Sequence, residues 1–134
     1  MKSTKTAVLY FLSAYLIGTV VGFITFYINV TIMWISLFTL MPVIFGYYFY
    51  RYLKITGCEI SKSLHETFTL ILFWIIASFI LDAVVYIIII PLLFGYKSNW
   101  TFFIDQSPWI WLNYLSLFII GIIARYFFLR SLKN

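Results

Sequence analysis

One acidic residue, Asp82, lies deep inside a long apolar run, in Phe79-Ile80-Leu81-Asp82-Ala83-Val84. A charged Asp at the centre of a membrane helix costs about 2.5 to 3.5 kcal/mol. Its neighbours can carry that cost: fifteen Leu, Ile, Val or Phe stand between Leu70 and Ile90. At about 0.3 to 0.6 kcal/mol each they contribute roughly 4 to 9 kcal/mol. Insertion is therefore feasible, and the carboxylate is expected to face protein rather than lipid. At four-residue spacing Ser78, Asp82 and Tyr86 share one helix face, extended by Trp74 one turn further in. Two chemistries suit such a stripe. Asp82 could bind protons or cations on a transport path. It could equally be hydrogen-bonding glue toward Asn113, Ser116, a helix-two hydroxyl such as Ser36 or Thr39, or a partner subunit. Arg125 is a poor counter-ion because it stands near the end of its own span while Asp82 is near mid-depth.

The remaining reactive residues are few. Cys58, Glu59, His65 and Glu66 are close in sequence, but a metal centre needs three or four convergent ligands and nothing in their spacing brings them together. A single cysteine and a single histidine exclude an intramolecular disulfide, a CxxC redox pair, a cysteine-rich zinc site and a serine triad with a credible histidine. No glycine-rich phosphate loop is present. The chain therefore reads as non-enzymatic, with no catalytic residue, metal or cofactor assigned.

The elements that must position these residues are membrane helices. Of 134 residues, 64% are hydrophobic and 10% charged, with a mean hydropathy of +1.04; a soluble domain has about 45 to 50% apolar and about 25% charged residues. That composition excludes a disordered chain and a soluble nucleic-acid binder. The apolar blocks predict an all-α polytopic membrane protein, a single transmembrane domain over 1–134 with helices at about 7–28, 31–50, 64–91 and 108–128. The first, roughly 22 residues or about 33 Å, suffices for a hydrocarbon core of about 30 Å. The third, about 27 residues or 40 Å, should tilt or project into the headgroup layer. Asn29 suits a left-handed cap closing the first helix. Ser63-Leu64-His65-Glu66 fits a capping box, and Ser107-Pro108 an N-cap followed by proline. Asp105 and Gln106 read as start residues of the fourth helix, and Pro42 should kink the second. Lys2 and Lys5 give the chain a signal-peptide-like start, but no small-x-small pattern closes the apolar run, so it reads as an uncleaved first helix.

Orientation follows from the cations. Lys2, Lys5, Arg51, Lys54, Lys62, Arg125, Arg130 and Lys133 fall on the side shared by both termini and the 51–63 loop, and only Lys97 falls in the 95–107 loop. The positive-inside rule makes the first side cytoplasmic and the second the outer one. Trp100, Trp109 and Trp111 would then form the outer aromatic belt, and Tyr47, Tyr48, Tyr50 and Tyr52 the inner one. Trp100 to Ile104 is apolar enough to lie in the interface as a docking or lid element. Two N-x-Thr matches, at Asn29 and Asn99, read as chance.

Ala14, Gly18 and Gly22 form a small-residue stripe on helix one, and Ser36, Thr39, Val43 and Gly46 a comparable stripe on helix two that could receive it. The expected architecture is an antiparallel bundle of four transmembrane helices in the plasma membrane, both termini cytoplasmic. Its expected partners are membrane lipids and either a second copy or another membrane protein, with no nucleic acid. The sparse polar inventory favours an accessory or interaction subunit acting through helix packing; the alternative is a small oligomeric transporter or channel that uses Asp82.

Overall fold

The computed structural model describes residues 1–132; Lys133, counted among the cations above, lies outside the described residues. Among the described residues the chain is all-helical, and four of its helical stretches are long and apolar enough to cross a membrane: Thr4–Phe26, Val30–Ile55, Ile60–Leu93 and Trp109–Ser131. We label the α-helices α1 (Thr4–Phe26), α2 (Val30–Ile55), α3 (Ser63–Asp82), α4 (Ile90–Leu93), α5 (Phe102–Asp105) and α6 (Trp109–Ser131).

Helix ends explain where the expected boundaries moved. Asn29 does not close α1 in a left-handed conformation; it is extended (φ −170°) and its side-chain oxygen accepts the Thr31 N–H at 2.6 Å, so it caps the start of α2. Ser63 and Glu66 do not form a capping box. Lys62 occupies the cap position, the Ser63 hydroxyl donates to the Ile60 carbonyl, and Glu66 is drawn to a positive charge instead. Ser107 likewise gives way to Pro108 at the cap of α6, and Asp105 belongs to α5, accepting a hydrogen bond from the Thr101 hydroxyl. α2 remains α-helical through Pro42. Both α2 and α4 end in the same motif: Gly57 (φ +55°) and Gly95 (φ +75°) take the left-handed conformation. Cys58 N–H then reaches back to the Leu53 carbonyl, and Tyr96 N–H to that of Pro91. These are Schellman closures, which glycine enters without the penalty other residues carry.

The third span departs most from a plain helix. After Asp82 the chain widens into a π-helix over Ala83–Ile89 before α4 resumes the α pattern. Pro91 gives a local reason: it has no N–H to offer the carbonyl four residues back, that of Ile87. The Asn99 N–H, from the following loop, donates to that carbonyl at 2.9 Å.

α1 packs on α2, α2 on α6, and α3 on α6, with lesser contacts of α3 to α1 and α2. The core centres on Trp74 of α3, which is 0% exposed. Its ring lies 4.3 Å from Phe49, 5.4 Å from Phe45 and 6.0 Å from Phe11. Trp74 is thus a packing residue one turn before Ser78 on the Ser78–Asp82 face. The Ala14, Gly18 and Gly22 stripe is buried, and it receives Met41 at Gly18 and Leu37 at Gly22. It does not meet Ser36, Thr39 and Val43: the Thr39 hydroxyl folds back to the Ile35 carbonyl and Val43 is 69% exposed. Residues 37, 41 and 45 recur every fourth position and form a face of their own, which carries the longer apolar side chains. Gly46 faces Ile120 of α6. Among the glycines the tightest surroundings are those of Gly121 of α6, where an added Cβ would stand 2.5 Å from Ile71 Cγ1 and 2.6 Å from its Cδ1.

The N-terminus, the α2–α3 turn and the second half of α6 meet at one end. Lys2 Nζ donates to the Gly57 carbonyl at 2.8 Å, Ser3 N–H to the Tyr52 hydroxyl at 3.3 Å, and Arg125 Nε to the Ser63 hydroxyl at 3.1 Å. Tyr52 is fully buried there, so it belongs to the core and not to an interfacial belt.

Candidate functional site

Asp82 closes α3, and its carboxylate is buried between three helices. The Tyr15 hydroxyl, from α1, donates to Oδ1 at 2.8 Å, and the Tyr114 hydroxyl, from α6, donates to Oδ2 at 2.6 Å. Each oxygen therefore has its own phenol, and the pair of bonds ties α1, α3 and α6 together. The local sequence places all three groups. Tyr114 lies on the buried face of α6 with Ile110, Leu117 and Gly121. Tyr15 follows Ala14 at the edge of the buried face of α1, where a long side chain can reach across to α3. Phenol-to-carboxylate bonds are short and strong because the acceptor can carry charge, and phenols supply them without placing a second charge in the membrane.

Aromatic residues cover this clamp on the side of the loop before α6. Phe102 stacks on Tyr86 with centroids 5.1 Å apart and planes 5° from parallel, and Phe103 stacks on Phe79 at 4.9 Å. Phe103 also meets Trp111, whose ring contacts Tyr114 at 6.0 Å. α5 thus lays two phenylalanines over residues that flank Asp82. The π segment begins at the next residue after Asp82, and π-type widening is rare and frequent at functional sites.

The residues expected around Asp82 divide. Ser78, one turn away on α3, is buried on the same side. Tyr86 belongs to the π segment and turns its ring to Phe102. Asn113 and Ser116 are not partners of the carboxylate: the Ser116 hydroxyl donates to the Asn113 carbonyl at 2.6 Å. Ser36 and Thr39 do not reach it either. The two partners that do, Tyr15 and Tyr114, were not singled out from the sequence. Their signal was position: a tyrosine within a span, away from the interfaces where its amphipathic ring is at ease, needs a partner for its hydroxyl.

The other titratable group of interest is at the Lys2–Arg125 end. Glu66 is buried, and its carboxylate lies 3.4 Å from the Met1 ammonium, an electrostatic contact without hydrogen-bond geometry. Cys58 is buried nearby, and burial first and Glu66 second push its thiol above the usual range, which keeps it protonated and unreactive. Glu59 points outward beside Lys62, whose hydrogen bond and charge hold its carboxyl below the usual range. His65 is exposed as well. Among the described residues no three of His, Cys, Asp or Glu gather in a way that could hold a metal ion. No protein family, curated protein or solved structure matches this chain, so any functional reading rests on the geometry above.

Proposed function

We propose that the chain is a non-enzymatic accessory subunit of a membrane assembly, built as an antiparallel four-helix transmembrane bundle with both termini in the cytoplasm. In this reading Asp82 is an internal staple. The observation that supports it is the closed clamp: both carboxylate oxygens already accept a tyrosine hydroxyl. Neither the groove between α2 and the second half of α6 nor the one between the start of α2 and Trp109 is lined by Asp82 or its partners. A carboxylate that is fully engaged and enclosed is suited to fixing helix positions, and what such a protein offers other molecules is its outer surface. The experiment is mild solubilisation of native membranes followed by affinity purification of the tagged chain. A stoichiometric second protein is expected, and a pure homo-oligomer would count against the accessory reading.

The alternative, a small oligomeric transporter or channel with Asp82 on its path, draws support from the π segment next to Asp82, since a widened helix can rearrange more readily than a regular one. It expects pH- or cation-dependent flux in reconstituted vesicles, lost in both Asp82→Asn and Asp82→Leu.

The orientation rests on the excess of cations at one end and is tested separately. In a background lacking Cys58, single cysteines at positions 3 and 131 should be shielded from an impermeant thiol reagent applied to intact cells, while one at position 98 reacts. Labelling of position 3 or 131 from outside would reverse the topology.

A further inference from the structure

We propose that the groove between α2 and α6 binds one anionic phospholipid, with an acyl chain along its floor and the phosphate at its cationic end. The groove has a volume of about 670 Å³, and Pro42, Val43 and Gly46 from α2 face Ile120, Ile123 and Phe127 from α6 across it. Its floor exists because Gly46 and Ala124 place little bulk between the helices. From Pro42 to Tyr50 it follows α2 for about 12 Å at 1.5 Å per residue, and over that length its walls are apolar or aromatic.

Its far end is different. Arg130 lines it directly, and two more cations stand over tyrosines of its wall: Arg51 lies 5.8 Å from the Tyr47 ring centre and Lys54 5.9 Å from that of Tyr50. No acidic residue lines the groove among the described residues. Both helices end within a few residues of these cations, which puts the charge where a headgroup lies and the apolar floor where its chain lies. Basic pockets between transmembrane helices recognise anionic headgroups in this way. An apolar helix of another protein would fill the floor but leave three cations without a counter-charge, so the charge distribution favours the lipid. This site shares no residue with the Asp82 clamp and stands apart from the accessory reading.

The test is native mass spectrometry of the delipidated full chain in nonionic detergent, titrated with phosphatidylglycerol, phosphatidylcholine or glycerol 3-phosphate. Phosphatidylglycerol should bind about tenfold or more tighter than phosphatidylcholine, and each cation removed should cost about fivefold. Arg130→Gln therefore weakens the anionic lipid more than phosphatidylcholine, whose phosphate already carries its own choline cation, and the Arg51→Gln, Lys54→Gln, Arg130→Gln triple variant abolishes the preference. Glycerol 3-phosphate should not bind at these concentrations, because the chain groove contributes nothing to it. A Cβ at position 46 would meet only Ile120 Cγ2, at 3.5 Å, so the side chain of Gly46→Leu can enter the groove and should weaken both lipids. Val43→Trp at the exposed lip does the same if Gly46→Leu does not fold. Equal affinity for the two lipids, an unchanged preference in the triple variant, binding of glycerol 3-phosphate as tight as that of the lipid, or unchanged lipid binding in both groove-filling variants would each overturn the proposal.

Discussion

Asp82→Leu is expected to lower the unfolding free energy of the chain in detergent by about 2 to 4 kcal/mol. It removes the acceptor of two hydrogen bonds, which in membranes average about 0.6 kcal/mol and reach about 1.7. It also leaves the Tyr15 and Tyr114 hydroxyls as donors with nothing to receive them, and an orphaned buried donor costs more than the bond itself was worth. Asp82→Asn should lose under half as much, because the amide oxygen still accepts one phenol and the amide N–H can donate to the other. Adding Tyr15→Phe and Tyr114→Phe to Asp82→Leu should recover most of the loss, since removing both sides of a buried hydrogen bond is often nearly neutral. A transport carboxylate predicts a different pattern, in which every Asp82 variant folds normally and only flux is lost. Thermal or denaturant unfolding of the purified variants separates the two.

The second large effect is expected at Gly121→Ala. The added methyl group would stand 2.5 Å from Ile71 Cγ1, and Ile71 is itself fully buried and β-branched, with few rotamers to escape into. Overpacking of this kind costs about 1 to 3 kcal/mol. Gly18→Ala is the control. Its Cβ would meet the Met41 methyl group at 2.7 Å, but a methionine end swings aside at little cost, so a loss of less than about 1 kcal/mol is expected, at the low end for a tolerated core change. Ile71→Ala should rescue Gly121→Ala in part by vacating the space. Equal losses at the two glycines would mean that the α3–α6 approach is looser than described.

The contrast between these glycines shows what the sequence could reveal. The four membrane-spanning stretches are legible because hydropathy is a sum over about twenty residues, and local exceptions do not change it. Gly18 and Gly22 were visible as a stripe because they repeat at helical spacing, but which face of α2 they meet was not: Leu37 and Met41 receive them, and that choice is made by side-chain shape across a contact. Gly121 stands alone in its helix and offers no pattern. The same holds for Asp82. That it lies in a helix and needs polar company follows from its type and surroundings. Its partners come from residues 67 positions before it and 32 after it, and Asn113 and Ser116, which flank Tyr114 in the chain, are more familiar hydrogen-bonding types than a tyrosine. The π segment was hidden for a related reason: Pro91 signals a missing hydrogen bond, but the Asn99 N–H that answers it arrives from a loop.

The central claim, that Asp82 is a staple held by two tyrosines, is tested most directly by double-mutant cycles on unfolding free energy. One cycle pairs Asp82→Leu with Tyr15→Phe, the other pairs it with Tyr114→Phe, and Asp82→Leu with Asn113→Leu serves as a reference. Coupling of about 0.6 to 2 kcal/mol is expected in each tyrosine cycle and close to none in the reference. Coupling indistinguishable from zero in both tyrosine cycles would contradict the clamp and leave Asp82 without the structural role assigned to it.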